Sequence, residues 1–222
     1  MKALGESGVV AILRLRDHGL AVEVAEALAR GGIGVLELTQ DDPAALAALR
    51  RVAALKGVVV GAGTVTDVAT VAAVADAGAR FVVAPNVDPG VIGAALDAGL
   101  APLPGALTAT EVAAALAAGA EMIKLFPAGP MGTAYLRALR GPFEHVAFVP
   151  TGGIAHDAAG DWIAAGASAV GLGSDLVGAR PADADLEGIE ARARVAVASA
   201  RAALAASSRL AIHMGDGAEP GA

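Results

Sequence analysis

Residues 58–86 read VVVGAGTVTDVATVAAVADAGARFVVAPN. An apolar run from Val58 to Thr64 gives way to a segment whose valines, Val68, Val71 and Val74, recur at helical spacing. The segment ends at Ala77-Gly78 and a second apolar run follows from Phe81 to Pro85. Short continuous apolar runs are read as strands covered on both faces, and a glycine after the last apolar turn of a helix is expected in the left-handed C-cap conformation. The stretch is therefore a strand, a helix and the next strand.

Working outward, the same unit repeats. Further strand candidates are VVAILR from Val9, IGVLELT from Ile33, APLPG from Ala101, MIKLF from Met122, AFVPTGG from Ala147 and AVGLGS from Ala169, with Ala-Gly pairs again at Gly99, Gly119 and Gly166. Eight such units in 222 residues suit a single-domain TIM (β/α)8 barrel better than an open doubly wound sheet. The dinucleotide fingerprint of the open sheet is incomplete, because GAGTVTD offers Gly61 and Gly63 but no third glycine. Residues 1–206 are assigned to the barrel with its closing C-terminal helix, and residues 207–222, mixed in composition and without period, to a flexible tail.

The chain has 55% hydrophobic residues, no cysteine and a formal net charge of -7. No apolar run is long enough to cross a bilayer, and MKALGESGVV lacks a secretory core, so a cytoplasmic protein without membrane attachment is expected. The missing cysteines exclude disulfides, thiolate metal sites and a cysteine nucleophile. The negative charge argues against a nucleic-acid partner, which needs clustered basic residues to neutralise phosphates. A small anionic substrate remains compatible, because it answers to local donors.

Lysine occurs only at positions 2, 56 and 124. Lys2 and Lys56 read as surface residues, whereas Lys124 interrupts an apolar strand, where an unpaired ammonium is costly to bury. Reactive groups in a barrel gather at the C-terminal strand ends. Those ends carry Arg14, Glu37 with Thr39, Thr64, Pro85 with Asn86, Lys124, Thr151-Gly152-Gly153 and Gly173-Ser174. Side chains alternate along a strand, so Val35, Glu37 and Thr39 share one face and Met122, Lys124 and Phe126 share another. If Leu36 and Leu38 face the helices, Glu37 and Lys124 both point inward. A structural ion pair accounts for that as well as catalysis does. The Gly-rich turns TGGI and GLGSDL follow the seventh and eighth strands, the positions where this fold recurrently binds phosphate.

These motifs resemble the family of 2-keto-3-deoxy-6-phosphogluconate and 4-hydroxy-2-oxoglutarate aldolases. AILR, LELT, GAGTV, PGALTATE, KLFPAGPMG, FVPTGGI and GLGSDLV stand in the family's order between Val9 and Val177. The resemblance implies a class I aldolase that needs no cofactor and no metal, with Lys124 as the Schiff-base lysine and Glu37 as general acid/base. It implies that Arg14 and Thr64 hold the substrate carboxylate, and that Pro85 and Phe126 pack around the imine. Thr151 would line the pocket, and the turns with Gly152, Gly153, Gly173 and Ser174 would bind phosphate. The implied reaction cleaves 2-dehydro-3-deoxy-6-phosphogluconate to pyruvate and glyceraldehyde 3-phosphate, and the implied assembly is a homotrimer.

One position departs from the pattern. In the stretch Gln40-Asp41-Asp42-Pro43 after the second strand, an acid stands where some members carry an arginine that contacts substrate. Asn86, ALTATE and GSDL also resemble the 2-keto-3-deoxy-6-phosphogalactonate aldolases, so that substrate and 4-hydroxy-2-oxoglutarate are alternatives. A sugar-phosphate isomerase using Glu37 as base, or a non-catalytic barrel binding a phosphorylated ligand, are more distant ones. His18, His145, His156 and His213 show no ligand spacing and are read as solvent or loop residues. Trp162 is read as packing, and Tyr135 as a helix-surface residue.

Overall fold

The computed structural model describes residues 7–178 and 185–215. Strands and helices alternate along the chain. The strands are β1 (Val9–Leu13), β2 (Val35–Thr39), β3 (Val59–Gly63), β4 (Phe81–Val83), β5 (Ala101–Leu103), β6 (Gly105–Ala106), β7 (Met122–Leu125), β8 (Ala147–Pro150) and β9 (Val170–Leu172). The helices are α1 (Ala21–Arg30), α2 (Ala45–Ala53), α3 (Val68–Asp76), α4 (Pro89–Asp97), α5 (Ala109–Ala117), α6 (Gly132–Arg140), α7 (Ala159–Ala164), α8 (Ser174–Val177) and α9 (Leu186–Gly215).

Every strand pairing is parallel, and each strand coincides with one of the apolar runs. The runs do not form one continuous ladder, however. A six-stranded sheet has the order β5-β4-β3-β2-β1-β9, and a three-stranded sheet the order β6-β7-β8. The expectation of a single closed barrel ladder is corrected accordingly. One break falls at Pro104, which has no N–H to donate and divides the fifth run into β5 and β6. The other lies between β8 and β9, which are joined by the Thr151–Gly171 bridge and the Ser168 N–H to Phe148 carbonyl bond of 2.9 Å.

The two-residue alternation sorts the side chains as the sequence predicts. Leu36, Leu38, Ile123 and Leu125 join the large core between strands and helices. Val10, Val35, Phe81, Val83, Leu103, Val149 and Ala169 form a second, inner cluster with Met122 packed against it. Glu37 is two residues beyond Val35, and Lys124 two beyond Met122, so both follow this inner face. Gly61 makes the inner cluster possible, since a Cβ there would fall 2.4 Å from the Phe81 ring.

Five helices, α1, α3, α4, α5 and α7, end in the same way. Gly32, Gly78, Gly99, Gly119 and Gly166 all have φ between 71° and 101°. In each case the following amide reaches back to a helix carbonyl, Ile33 to Leu28, Ala79 to Val74, Leu100 to Ala95, Ala120 to Ala115 and Ala167 to Trp162, at 2.8–3.1 Å. This is the Schellman closure. It delivers a buried residue directly to the entrance of the next strand.

At the C-terminal end α9 packs on α1 and α7. It continues to Gly215, so the expected irregular tail does not begin at Ser207. Residues 216–222 lie outside the described residues. Trp162 is buried, consistent with packing. Among the described residues no helix is long and apolar enough to cross a membrane.

Candidate active site

The C-terminal strand ends enclose a cavity of about 840 Å³. Arg14, Glu37, Thr64, Pro85, Lys124, Phe126, Thr151, Gly152, Gly153, Gly173 and Ser174 all line it. A second cavity of about 880 Å³ opens at the opposite end, between Leu96, Leu116, Met122, His145 and Ser168. It has no lysine in its lining and none of the strand-end polar groups. The first is therefore the candidate active site.

Lys124 and Glu37 are among the few buried charged residues, at 7% and 3% exposure. Register explains how they arrive there: Lys124 pairs with Gly105 on one side and Val149 on the other, and Glu37 with Ile12 and Gly61. The Lys124 Nζ lies 4.9 Å from the centre of the Phe126 ring, a cation–π contact on an otherwise apolar wall. Lys56 is exposed, and Lys2 lies outside the described residues. Burial pushes the Glu37 carboxyl above its ordinary value of 4.5, more than the neighbouring charges of Lys124 and Arg14 pull it down.

At one rim, Arg14 Nη2 donates to Thr64 Oγ1 at 3.3 Å, and Arg14 Nε lies 3.7 Å from Asp41 Oδ2. Thr64 is held at φ 60°, the one positive φ outside glycine among the described residues. Backbone strain of this kind gathers where a side chain must be aimed. Thr39 is fully buried beneath this rim, its hydroxyl directed at the Leu13 carbonyl and Asp41 at 3.3 Å each. It serves as a support rather than a lining group.

At the other end, Gly152 and Gly153 turn with φ 91° and 72°. The Gly152 amide faces Gly171 at the bridge between β8 and β9, whereas the Gly153 amide donates no hydrogen bond within the described residues and is available to an anion in the cavity. Across from them Asp175 accepts from the His156 backbone amide at 2.6 Å and lies 2.6 Å from His156 Nδ1. Burial pushes the Asp175 carboxyl up, but the two His156 hydrogen bonds, with the charges of His156 and Arg192, together hold it below the usual carboxylate value.

The lining residues Ile12, Arg16 and Asp175 were not anticipated. Arg16 was legible as the residue two beyond Arg14, and Asp175 from its place after Ser174. His156 is no free loop residue, and His18 is buried with both ring nitrogens unpartnered rather than solvated. Tyr135, expected on the helix surface, is half-buried and donates its hydroxyl to the Leu107 carbonyl. Among the described residues no three His, Asp or Glu side chains converge to hold a metal ion.

A family model for KDPG and KHG aldolases, enzymes of 2-keto-3-deoxy-6-phosphogluconate and 2-keto-4-hydroxyglutarate, matches residues 1–191. The chain belongs to the KDPG and KHG aldolase family. This makes it an aldolase, a lyase of carbon–carbon bonds. Among relatives of this aldolase, a probable 2-dehydro-3-deoxy-6-phosphogalactonate aldolase of Rhizobium meliloti is 39% identical over 77% of this chain and 82% of its own. The crystal structure of the 2-keto-3-deoxy-6-phosphogluconate aldolase of Zymomonas mobilis with 3-phosphoglycerate aligns over 91% of this chain and 96% of that one, with TM-score 0.83 and 34% identity. The KDPG aldolase of Legionella pneumophila, with pyruvate captured as a covalent carbinolamine, aligns over 90% and 96%, with TM-score 0.74 and 28% identity. Gluconate- and galactonate-derived substrates thus both occur among aldolases of comparable similarity.

Proposed function

We propose that this aldolase cleaves 2-dehydro-3-deoxy-6-phosphogluconate to pyruvate and glyceraldehyde 3-phosphate through a Schiff base on Lys124, in a (β/α)8 framework. The observation that carries the reading is the shared burial of Lys124 and Glu37 in one cavity, with a glycine turn whose Gly153 amide is unpartnered at its far end. The Lys124 amine adds to the C2 ketone, and loss of water gives an iminium. Glu37, directly or through a water, takes the C4 hydroxyl proton as the C3–C4 bond breaks and its electron pair enters the iminium. The aldehyde leaves, the enamine is protonated at C3, and water releases pyruvate and the lysine.

Arg14 and Thr64 are proposed to hold the substrate carboxylate. Gly152, Gly153, Gly173 and Ser174 are proposed to hold the phosphate, with Thr151, Pro85 and Phe126 completing the wall. The pyruvate adduct of the Legionella relative and the phosphorylated ligand of the Zymomonas one support the two ends of this assignment. Borohydride reduction in the presence of pyruvate tests it, by placing a stable carboxyethyl group on the Lys124 peptide.

Asp41 favours a second reading. An acid beside Arg14 alters the charge around the substrate's first carbons, which brings the C4-epimeric phosphogalactonate substrate into consideration. Steady-state comparison of the two epimers decides between them. We further propose a homotrimer, supported by the outward faces of α3, α4 and α5, where Val68, Ala72, Leu96, Ala113 and Ala117 are exposed.

A further inference from the structure

The anion end of the cavity contains one arrangement that the proposed reaction does not use. The turn after β8 supplies Gly152 and Gly153 and runs into the short 3-10 turn His156–Ala158. The turn after β9 supplies Gly173 and Ser174, followed at once by Asp175. These segments come from different βα units, and β8 and β9 share little ladder between them. Beyond that single Thr151–Gly171 bridge at their bases, the spacing of the two turns depends on whatever ties their outer residues together.

That tie is visible. Oδ2 of Asp175 receives both the backbone amide and the ring Nδ1 of His156, at 2.6 Å each, so one carboxylate oxygen ties one turn to the other by two bonds. Asp175 is itself oriented toward the cavity wall. The histidine ring is only about a quarter exposed, and because a carboxylate can only accept, the 2.6 Å contact requires the proton on Nδ1. On the far side, Arg192 of α9 donates to the Leu176 carbonyl at 2.8 Å, anchoring the α8 end of the pair. A merely solvated pair of loop residues has no reason to place two donors on one oxygen.

We propose that His156 and Asp175 form a clasp that sets the distance between the two glycine turns, and that they are thereby the positioning residues for recognition of the substrate's terminal phosphate. Neither touches the reacting carbons. This rests on the phosphate reading of the cavity's far end and adds to it the residues that govern phosphate selectivity. Donors fixed in advance bind an anion without the loss of ordering the turns. Loosening the clasp lowers affinity for the phosphorylated substrate while leaving catalysis at C2 to C4 in place.

The test compares the parent enzyme with His156→Ala, His156→Asn and Asp175→Ala, each with the 6-phosphorylated acid and with its dephosphorylated analogue. Asn keeps an N–H donor near the position of Nδ1. His156→Ala is expected to raise KM for the phosphorylated substrate roughly tenfold, the loss of one hydrogen bond to a charged group. Asp175→Ala, which removes both bonds, is expected to raise it further. His156→Asn should stay within about threefold of the parent. Activity toward the dephosphorylated analogue should be the same in the parent and the two His156 variants, and inorganic phosphate should inhibit the parent more strongly than His156→Ala.

A parent enzyme that prefers the phosphorylated substrate, with variants that keep the full preference, overturns the clasp alone. A parent that shows no preference overturns the phosphate reading and the clasp together. Should His156→Ala fail to fold, the comparison of parent with His156→Asn still decides: a tenfold rise in KM despite the retained donor overturns the proposal.

Discussion

Gly63 and Glu37 compete for one volume: a Cβ on Gly63 would sit 2.0 Å from Glu37 Oε1 and 2.6 Å from its Cδ. The glycine at the end of β3 is thus the floor on which the carboxylate rests, and Gly63→Ala must expel Glu37 from its position. Overpacking of this kind destabilises by about 1–3 kcal/mol. A displaced acid/base group is expected to lower kcat roughly a hundredfold. Pyruvate trapping on Lys124 should persist, which separates the effect from general collapse. A Gly63→Ala enzyme with parental kcat would show that Glu37 is not held there for catalysis.

Lys124→Arg keeps the positive charge but cannot form an imine, because the guanidinium stays protonated. Turnover should fall to background, and borohydride with pyruvate should leave the protein unlabelled. In the parent, mass spectrometry should find the adduct on Lys124 and none on the exposed Lys56. Labelling of Lys56 instead would remove the Schiff-base assignment.

Burial raises the Glu37 carboxyl, so the folded protein favours its protonated form. That contribution to stability is complete below the unfolded value near 4.5 and is lost as pH rises through the folded value. Glu37→Gln is neutral throughout and escapes the loss. Its Tm relative to the parent should therefore climb between about pH 4 and about pH 8. Each kcal/mol corresponds to roughly 2–4 °C in a chain of this size. Scanning calorimetry at both ends measures the difference, and a gap that does not change with pH contradicts it. The same variant should still trap pyruvate but cleave substrate slowly.

Two adjacent glycines should behave differently. A Cβ on Gly152 meets the Phe126 ring at 2.9 Å, whereas one on Gly153 finds its nearest atoms at 3.7 Å. Gly152→Ala is expected to press on the wall beside Lys124 and to impair phosphorylated and dephosphorylated substrates alike. Gly153→Ala strains the backbone and obstructs approach to the amide. It should raise KM for the phosphorylated substrate alone, by roughly tenfold. Equal profiles for the two variants in steady-state kinetics would count against the phosphate assignment.

Val68 and Leu96 are 53% and 44% exposed on neighbouring helices, α3 and α4. If these faces join copies of the chain, light scattering should give three times the mass of one chain. The double variant Val68→Asp with Leu96→Asp should dissociate it. A parent protein already monomeric at micromolar concentration would refute the assembly.

The strands and the cavity lining were legible because both follow from period. Alternation along β2 and β7 placed Glu37 and Lys124 on the inner face, and the Ala-Gly pairs marked helix ends that do adopt positive φ. The division of the fifth run was written in Pro104, but the missing donor matters only once a neighbouring strand is in place. His156 and Asp175 are 19 residues apart, and no local periodicity links them. The burial of His18 depends on where its 3-10 turn packs, which local sequence does not specify. The Ala- and Leu-rich residues 202–206 form a strong helical stretch, and the helix continues from it through the mixed composition beyond Ser207 to Gly215.

The shared helix closures divide the molecule into two regions of unequal freedom. An extra residue at any of the Ala-Gly junctions would break a hydrogen bond and unseat the buried residue behind it, so that rim tolerates almost no change in length. The turns on the opposite rim are bound by no such common rule, and each can be lengthened or rewritten separately. Substrate preference can accordingly shift through loops such as Gln40–Pro43 while the scaffold beneath keeps its spacing. An engineer seeking a new acceptor aldehyde would vary that upper rim and leave the glycine junctions untouched.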